Sequence, residues 1–335
     1  MINMRKTLIV AEACDNHFGS LINAKKMVDE AKKNGADVIK FQHHLPDEEM
    51  LKDVPQSKNF KISLYEFLKK YALKLSDHEE LMRYCKKRKI LYLCTPFSFK
   101  AAQELIKIGV QWFKIGSGEF LDIFFIEKIM KFKKDIIFST GMCEENEIDY
   151  MYKRLLKLKS KKQKVSLMNC TSEYPPNSKD LNIGYISNMI KRYPKFTIGH
   201  SDHTNDIYTS IAAVSFGAKI IEKHVYLDGL NHGPDKDVSI SFKKLGEMST
   251  AIRGLEVALG NKKKIHKDEK IIRTWAHRSI VTTKDLKKGT IIKYNDIITK
   301  RPGTGIPSLQ YKKILGKRLR KDLKKNILIK WEDLD

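Results

Sequence analysis

The sequence predicts an α/β protein, a (β/α)8 barrel followed by a small, mostly β domain. Two observations carry the barrel. Eight short, mostly apolar runs recur between residues 7 and 225, separated by segments with helical periodicity. Polar or charged residues gather at the ends of these runs, as expected where parallel strands buried on both faces bring their C-terminal ends to one rim. A third observation marks the small domain. Beyond Gly260 the helical period gives way to β-type runs joined by turn residues.

The runs are TLIVAEA (7–13), DVIKFQ (37–42), ILYLCT (90–95), WFKIG (112–116), DIIFST (135–140), VSLMNCT (165–171), FTIGHS (196–201) and KIIEKHV (219–225). The first follows a basic N-terminus, but Glu12 and Asp15 interrupt it and no small-residue cleavage site follows. It therefore reads as a strand and not as a signal peptide. Segments such as LINAKKMVDEAKKNGA and SFKAAQELIKIGV supply the helices, and Gly35, Gly109 and Gly217 close three of them as C-caps. Residues 1–259 form the predicted barrel. Residues 260–277 form a highly charged linker. Residues 278–335 form the small domain, with β runs at 280–283, 290–293 and 297–301 and turns at KKG and PGTG. That domain is near the lower size for independent folding.

Hydrophobic residues make up 41% of the chain, enough for a buried core, and no apolar run is long enough to span a membrane. The formal charge is +24, and the segment from Gly260 onward holds 22 Lys/Arg against 8 Asp/Glu. The lysines are spread over almost every predicted helix, as on solvated faces, and no nucleic-acid-binding motif is present. A polyanion binder would explain the charge but not the polar rim. Five cysteines without short paired spacing read as reduced thiols of a cytoplasmic protein.

The rim carries the chemistry. Lys40, Lys114 and Glu222 sit inside apolar strands, where an unpaired charge is costly. Pairing with one another as structural salt bridges is one solution. Lining a pocket for an anion is the expected one. Lys40 and Lys114, with Thr95, Ser117 and Ser139, suit a phosphate and a carboxylate on one small molecule. The Gly-Ser-Gly turn of KIGSGE (114–119) adds backbone N–H groups. Glu12 and Glu222 are the candidates for proton transfer. His203 and His224 end adjacent strands and can share one divalent cation while leaving positions open for substrate oxygen. His200 is expected to face the interior, and His17 the rim. Together these residues describe an enzyme for a phosphorylated acid and a second, metal-coordinated substrate. A metal-dependent barrel hydrolase is the distant alternative, but it needs a denser metal site, and no His-x-His follows the first strand.

In this order, AE...NHFGS (11–20), GADVIKFQ (35–42), DEEM (47–50), TPF (95–97), FKIGSGE (113–119), STGM (139–142), CTSEYP (170–175), SDHT (201–204), EKH (222–224), GPD (233–235) and KRPGTG (300–305) make the chain resemble the sialic (nonulosonic) acid synthases, the N-acetylneuraminate synthase family, along essentially its whole length. The C-terminal segment resembles that family's antifreeze-like (SAF) domain. The resemblance implies condensation of phosphoenolpyruvate (PEP) with an N-acylated hexosamine aldehyde, N-acetylmannosamine being favoured, with release of phosphate. It implies that Lys40, Thr95, Lys114, Ser117 and Ser139 hold PEP and that Glu12 assists water attack. Gln42, Tyr174, Glu222 and Asp235 would line the sugar site, with Ser172 near it and Glu119 a further substrate-binding candidate. His203 and His224 would bind Mn2+ or Mg2+. Arg301 would come from the partner subunit of a domain-swapped homodimer. A legionaminate- or pseudaminate-type synthase acting on a diacetamido-trideoxyhexose is the alternative within the family. Ser172 stands where neuraminate synthases often carry Asn, and Ala-Cys-Asp separates Glu12 from Asn16 where the family usually has a small, Gly-containing stretch.

Overall fold

Each of the eight apolar runs forms a strand, and in the computed structural model, which describes residues 6–55, 62–230 and 235–335, all eight are parallel. In chain order β1 (Leu8–Glu12) leads to α1 (Leu21–Lys33), and β2 (Val38–His43) to α2 (Pro46–Glu49), α3 (Leu64–Tyr71) and α4 (Leu75–Arg88). Then come β3 (Leu91–Pro96) with α5 (Phe99–Lys107), β4 (Trp112–Ile115) with α6 (Ile123–Met130), and β5 (Asp135–Ser139) with α7 (Glu145–Leu158). The barrel ends with β6 (Val165–Cys170) and α8 (Tyr185–Arg192), β7 (Thr197–Asp202) and α9 (Tyr208–Ser215), and β8 (Ile220–Tyr226). Each strand pairs with the next in sequence, and β8 pairs back onto β1 to close the barrel. A short β9 (Ile240–Ser241) pairs in parallel with the end of β8 before α10 (Phe242–Ala258).

The period of two along each strand sorts its residues. Ile9 and Ala11 face outward into the core between barrel and helices, with Ile39, Phe41, Phe113 and Phe138. Leu8 and Val10 face inward, where they meet Val38, Leu93, Trp112, Ile137, Met168 and Ile220. The N-terminal half of the barrel interior is therefore a packed apolar plug. The next inward residue of β1 is Glu12, so polarity begins one layer higher, at the C-terminal mouth. Local signals hold the helices in place. Ser20, Ser98 and Asp122 accept hydrogen bonds at the N-termini of α1, α5 and α6. Gly217, past the end of α9, has φ +101°, a conformation that favours glycine.

The chain divides into two compact units, Met1–Gly260 and Asn261–Asp335. The second contains α11 (Lys267–Ala276), β10 (Ser279–Thr282), β11 (Ile297–Lys300) and α12 (Tyr311–Ile314), with β10 and β11 antiparallel. Within the charged stretch 260–277 runs α11, preceded by its N-cap His266, whose backbone N–H donates to Glu269. One expectation is corrected in this unit. The run 290–293 is not a strand. Ile291 makes a single bridge to Arg318, and Ile292 is apolar because it fills the unit's core with Ile280, Leu286, Ile306 and Leu319. Among the described residues no helix is long and apolar enough to cross a membrane. All five cysteines are free.

Candidate active site

The inward parity that gives the plug its leucines gives the mouth its charges. Register sets Glu12 beside Lys40 on β2 and beside His224 on β8, and Ser201 beside Glu222. These residues border a cavity of about 540 Å3 at the C-terminal ends of the strands. Every predicted site residue of the barrel lines it: Glu12, Lys40, Gln42, Thr95, Lys114, Ser117, Glu119, Ser139, Ser172, Tyr174, His203, Glu222, His224 and Asp235.

The buried charges pair with one another while also lining the cavity. Lys40 Nζ donates to Glu222 Oε1 (2.7 Å), Lys114 Nζ donates to the same oxygen (2.9 Å), and Ser201 Oγ adds a third donor (3.1 Å). Lys40 Nζ is also 3.4 Å from Glu12 Oε2. Burial would raise the Glu222 pKa, but Lys114 and Lys40 outweigh it and hold the carboxyl well below its usual range. Of the two candidates for proton transfer, Glu222 is thus the one held ionised, as counter-ion to both lysines. Burial dominates at Glu12 and lifts its pKa to about 7 against the pull of Lys40. Burial likewise lifts Glu119 to about 7. Two lysines share one carboxylate oxygen, and the cavity wall also carries Asp15, Glu49, Glu119 and Asp235. The hydroxyls of Thr95 and Ser139 are buried at the cavity wall without a hydrogen-bond partner among the described residues. Buried polar groups in that condition are suited to a ligand.

Gln42 is held at both ends of its amide. Its Nε2 donates to Glu12 Oε1 (2.6 Å), and its Oε1 lies 2.9 Å from His44 Nε2. His44 Nδ1 is 2.9 Å from Glu49 Oε1. Across the cavity, the His203 and His224 rings are adjacent, with centroids 5.2 Å apart, and Tyr174 stacks on His203 at 4.5 Å. His203 Nδ1 lies 2.8 Å from the Thr171 carbonyl, which assigns the proton to Nδ1 and leaves Nε2 as the acceptor facing the Tyr174 hydroxyl at 3.4 Å. His224 is buried and its Nδ1 has no hydrogen bond among the described residues; Asp235 Oδ2 is 3.6 Å away. A buried, unpartnered imidazole nitrogen beside a second imidazole and a carboxylate fits a divalent cation.

His17 does not reach this site. It is fully buried, its Nδ1 accepts from Gly19 N–H (3.0 Å), and its ring lies 6.1 Å from Phe41 in the outer core. His200 is interior as expected, with Nδ1 3.1 Å from the Asn169 carbonyl. Arg301 is exposed in the second unit, where Nε donates to the Ala276 carbonyl (3.1 Å) and the guanidinium lies 5.7 Å from the Trp275 ring centre.

A family model described as "NeuB family" matches residues 27–264, and one described as "SAF domain" matches residues 277–335. The chain is 36% identical to the N,N'-diacetyllegionaminic acid synthase of Campylobacter jejuni subsp. jejuni serotype O:2, with 98% of this chain and 100% of that one covered. It is 30% identical to the N-acetylneuraminate-9-phosphate synthase of Homo sapiens over 93% and 88% of the two chains.

The chain belongs to the NeuB family.

Among solved structures, the N-acetylneuraminic acid synthetase of Leptospira borgpetersenii serovar Hardjo-bovis superposes with a TM-score of 0.72 at 30% identity, covering 80% of this chain and 90% of that one. This NeuB chain is accordingly a synthase, an enzyme of the condensing kind. Its cavity also holds residues that sequence reasoning passed over: Cys14, Asp15, His44, Glu49 and Cys170. For three of them the signal was present as parity. Cys14 continues the inward series Leu8, Val10, Glu12, and His44 continues Lys40, Gln42. Both fall just past the strand ends, where alternation no longer guarantees direction. Cys170 carries the same signal, two residues beyond the inward Met168 on β6. Burial opposes its ionisation, but the neighbouring His203 brings the thiol down to about 7.

Proposed function

We propose that this NeuB-family synthase condenses PEP with the aldehyde of an N-acylated hexosamine to give a nine-carbon nonulosonic acid and inorganic phosphate. One observation carries the assignment. Two buried ammonium groups and two unpartnered hydroxyls face one cavity, beside a carboxyl poised near neutrality. Lys40, Lys114, Thr95, Ser117 and Ser139 hold the phosphate and carboxylate of PEP. Glu12 accepts a proton from water as the water attacks C2, while C3 of PEP bonds to the aldehyde carbon and the aldehyde oxygen takes up a proton to become a hydroxyl. The adduct then loses phosphate by cleavage of the C–O bond, leaving the α-keto acid. Gln42, Glu119, Ser172, Tyr174 and Asp235 face the sugar. A divalent cation, Mn2+ or Mg2+, when held by His203 and His224, supplies Lewis-acid polarisation of the sugar carbonyl. Arg301 is assigned to the partner's site in a domain-swapped homodimer, whose reaction takes place in the cytoplasm.

N-acetylmannosamine is the favoured sugar. A diacetamido-trideoxyhexose is the second reading, supported by the higher identity to the legionaminic acid synthase than to the human enzyme. The test is phosphate release from PEP against a panel of free hexosamines. Release with N-acetylmannosamine is expected. Release only with the diacetamido sugar selects the second reading, and silence across the panel with correctly folded protein overturns both.

A further inference from the structure

The sequence placed the cation on His203 and His224, and a further pair of donor side chains converges on His224. Cys14 Sγ donates to Asp235 Oδ2 at 2.5 Å, and the same carboxylate oxygen lies 3.6 Å from His224 Nδ1. One sulfur, one oxygen and one nitrogen, from Cys14, Asp235 and His224, lie within 4.8 Å of one another. His203 is not part of that group. Metal–ligand bonds of about 2.0–2.3 Å place neighbouring donor atoms roughly 3–4 Å apart. The Asp235–His224 spacing already meets this. The Cys14–Asp235 contact is a hydrogen bond that opens once the thiol proton leaves. His224 is the independent pointer, because it is 5% exposed and its Nδ1 finds no hydrogen bond among the described residues.

We propose that Cys14 is a thiolate ligand on a three-sided Cys14–His224–Asp235 face, and that this face selects a borderline cation such as Zn2+ or Co2+ over Mg2+. The step balances simply: the metal–sulfur bond forms as the sulfur–hydrogen bond breaks, and one proton goes to solvent. The preference follows from donor softness. Thiolate with imidazole suits zinc and its neighbours, whereas Mg2+ demands oxygen donors in a near-octahedral shell. The proposal rests on the reading that a divalent cation binds at the barrel mouth.

Cobalt makes both claims visible. The full chain, freed of metal by chelator and gel filtration, is titrated with Co2+ while visible and near-ultraviolet spectra and proton release are recorded. A thiolate-to-cobalt charge-transfer band should grow with the visible bands, with a proton released. Cys14→Ser should lose that band and bind Co2+ at least about tenfold more weakly, since even outer partners of metal ligands cost about 10–100-fold. Cys14→Gly is the second variant; Cys14 has φ +45°, which glycine adopts freely, so folding is spared. Cys170→Ser, the control for the nearby thiol, should keep the band. Zn2+ should displace Co2+, and excess Mg2+ should not. Visible bands without the charge-transfer band, or a band that survives in Cys14→Ser, overturn the Cys14 assignment while leaving a cation site standing. Displacement by Mg2+ as readily as by Zn2+ overturns the preference. No Co2+ binding to the native chain, or binding indifferent to His224→Ala, removes the cation site itself.

Discussion

Glu12 shows how much one buried side chain can set. Burial raises its pKa to about 7, while Lys40 and the Gln42 amide pull the other way. An acid raised above its unfolded value favours the protonated fold. Its contribution to stability is present below about pH 4.5 and is lost as pH rises through about 7. Glu222 has the opposite sign: its contribution is present above the ordinary carboxylate range and is lost as pH falls. If ionised Glu12 takes the water proton, kcat/KM rises with pH on a limb near 7. Gln42→Ala removes the N–H that favours the carboxylate, so the limb should move to higher pH. An unmoved limb would show that another group sets it. The lysines give a second measurement. Lys114→Met should weaken PEP binding by roughly ten- to a hundredfold, the scale of one charge-assisted contact at about 1.5–3 kcal/mol. Titration calorimetry with PEP reads this, and unchanged affinity would place the phosphate elsewhere on the rim.

Strand β8 does two jobs through its alternation. Glu222 and His224 point into the mouth, while Lys223 between them points outward and is fully buried. Lys223 Nζ donates to the Thr204 carbonyl (2.5 Å) and Thr204 Oγ1 (2.9 Å) and lies 3.2 Å from Asp202 Oδ1. Asp202 in turn accepts from Thr209 and Ser210 on α9, both at 2.6 Å. This network fixes β7 and β8, and with them the two site histidines. Lys223→Met leaves Asp202 buried and unpaired, and should cost about 3–5 kcal/mol in urea denaturation, with partial recovery when Asp202→Leu is added. Gly199 marks a close approach on the same pair of strands. A Cβ there would lie 2.7 Å from the Ile220 carbonyl oxygen. Gly199→Ala should therefore lower stability by about 1–3 kcal/mol, as overpacking does, and a midpoint equal to that of the native chain would contradict it.

At the scale of the molecule, each of the two units has its own apolar core, and the predicted site residues fall in both. If Arg301 serves the partner's barrel in a swapped homodimer, function can be rebuilt from two broken chains. Arg301→Ala and His203→Ala should each be inactive alone. A co-refolded mixture should recover part of the activity, because a mixed dimer holds one intact barrel facing one intact Arg301. Mixed dimers that form, as judged by tagged pull-down, yet remain inactive would mean that Arg301 works within its own chain or not at all.

The barrel was legible because its physics is local and periodic. Parallel strands buried on both faces demand continuous apolar runs, helices demand a 3.6-residue stripe, and the capping residues punctuate both. The positions of the rim residues followed from the same alternation, and for Glu12, Lys40, Lys114, Glu222, His203 and His224 strand-end position alone pointed to the cavity. What each residue does there depended on which neighbour it meets, and neighbours come from strands far apart in sequence. Glu222 became a counter-ion because two lysines 182 and 108 positions away reach one of its oxygens. His17 turned into the outer core, although its sequence neighbourhood matches that of a rim residue. Cys14 met Asp235 across 221 residues. The sequence by itself determined the eight strands, the side of the barrel where polarity begins and the family. Only closure of β8 onto β1 decided the charge pairing at the mouth and the set of donor atoms that converge there, because burial and charge pairing act through space and not along the chain.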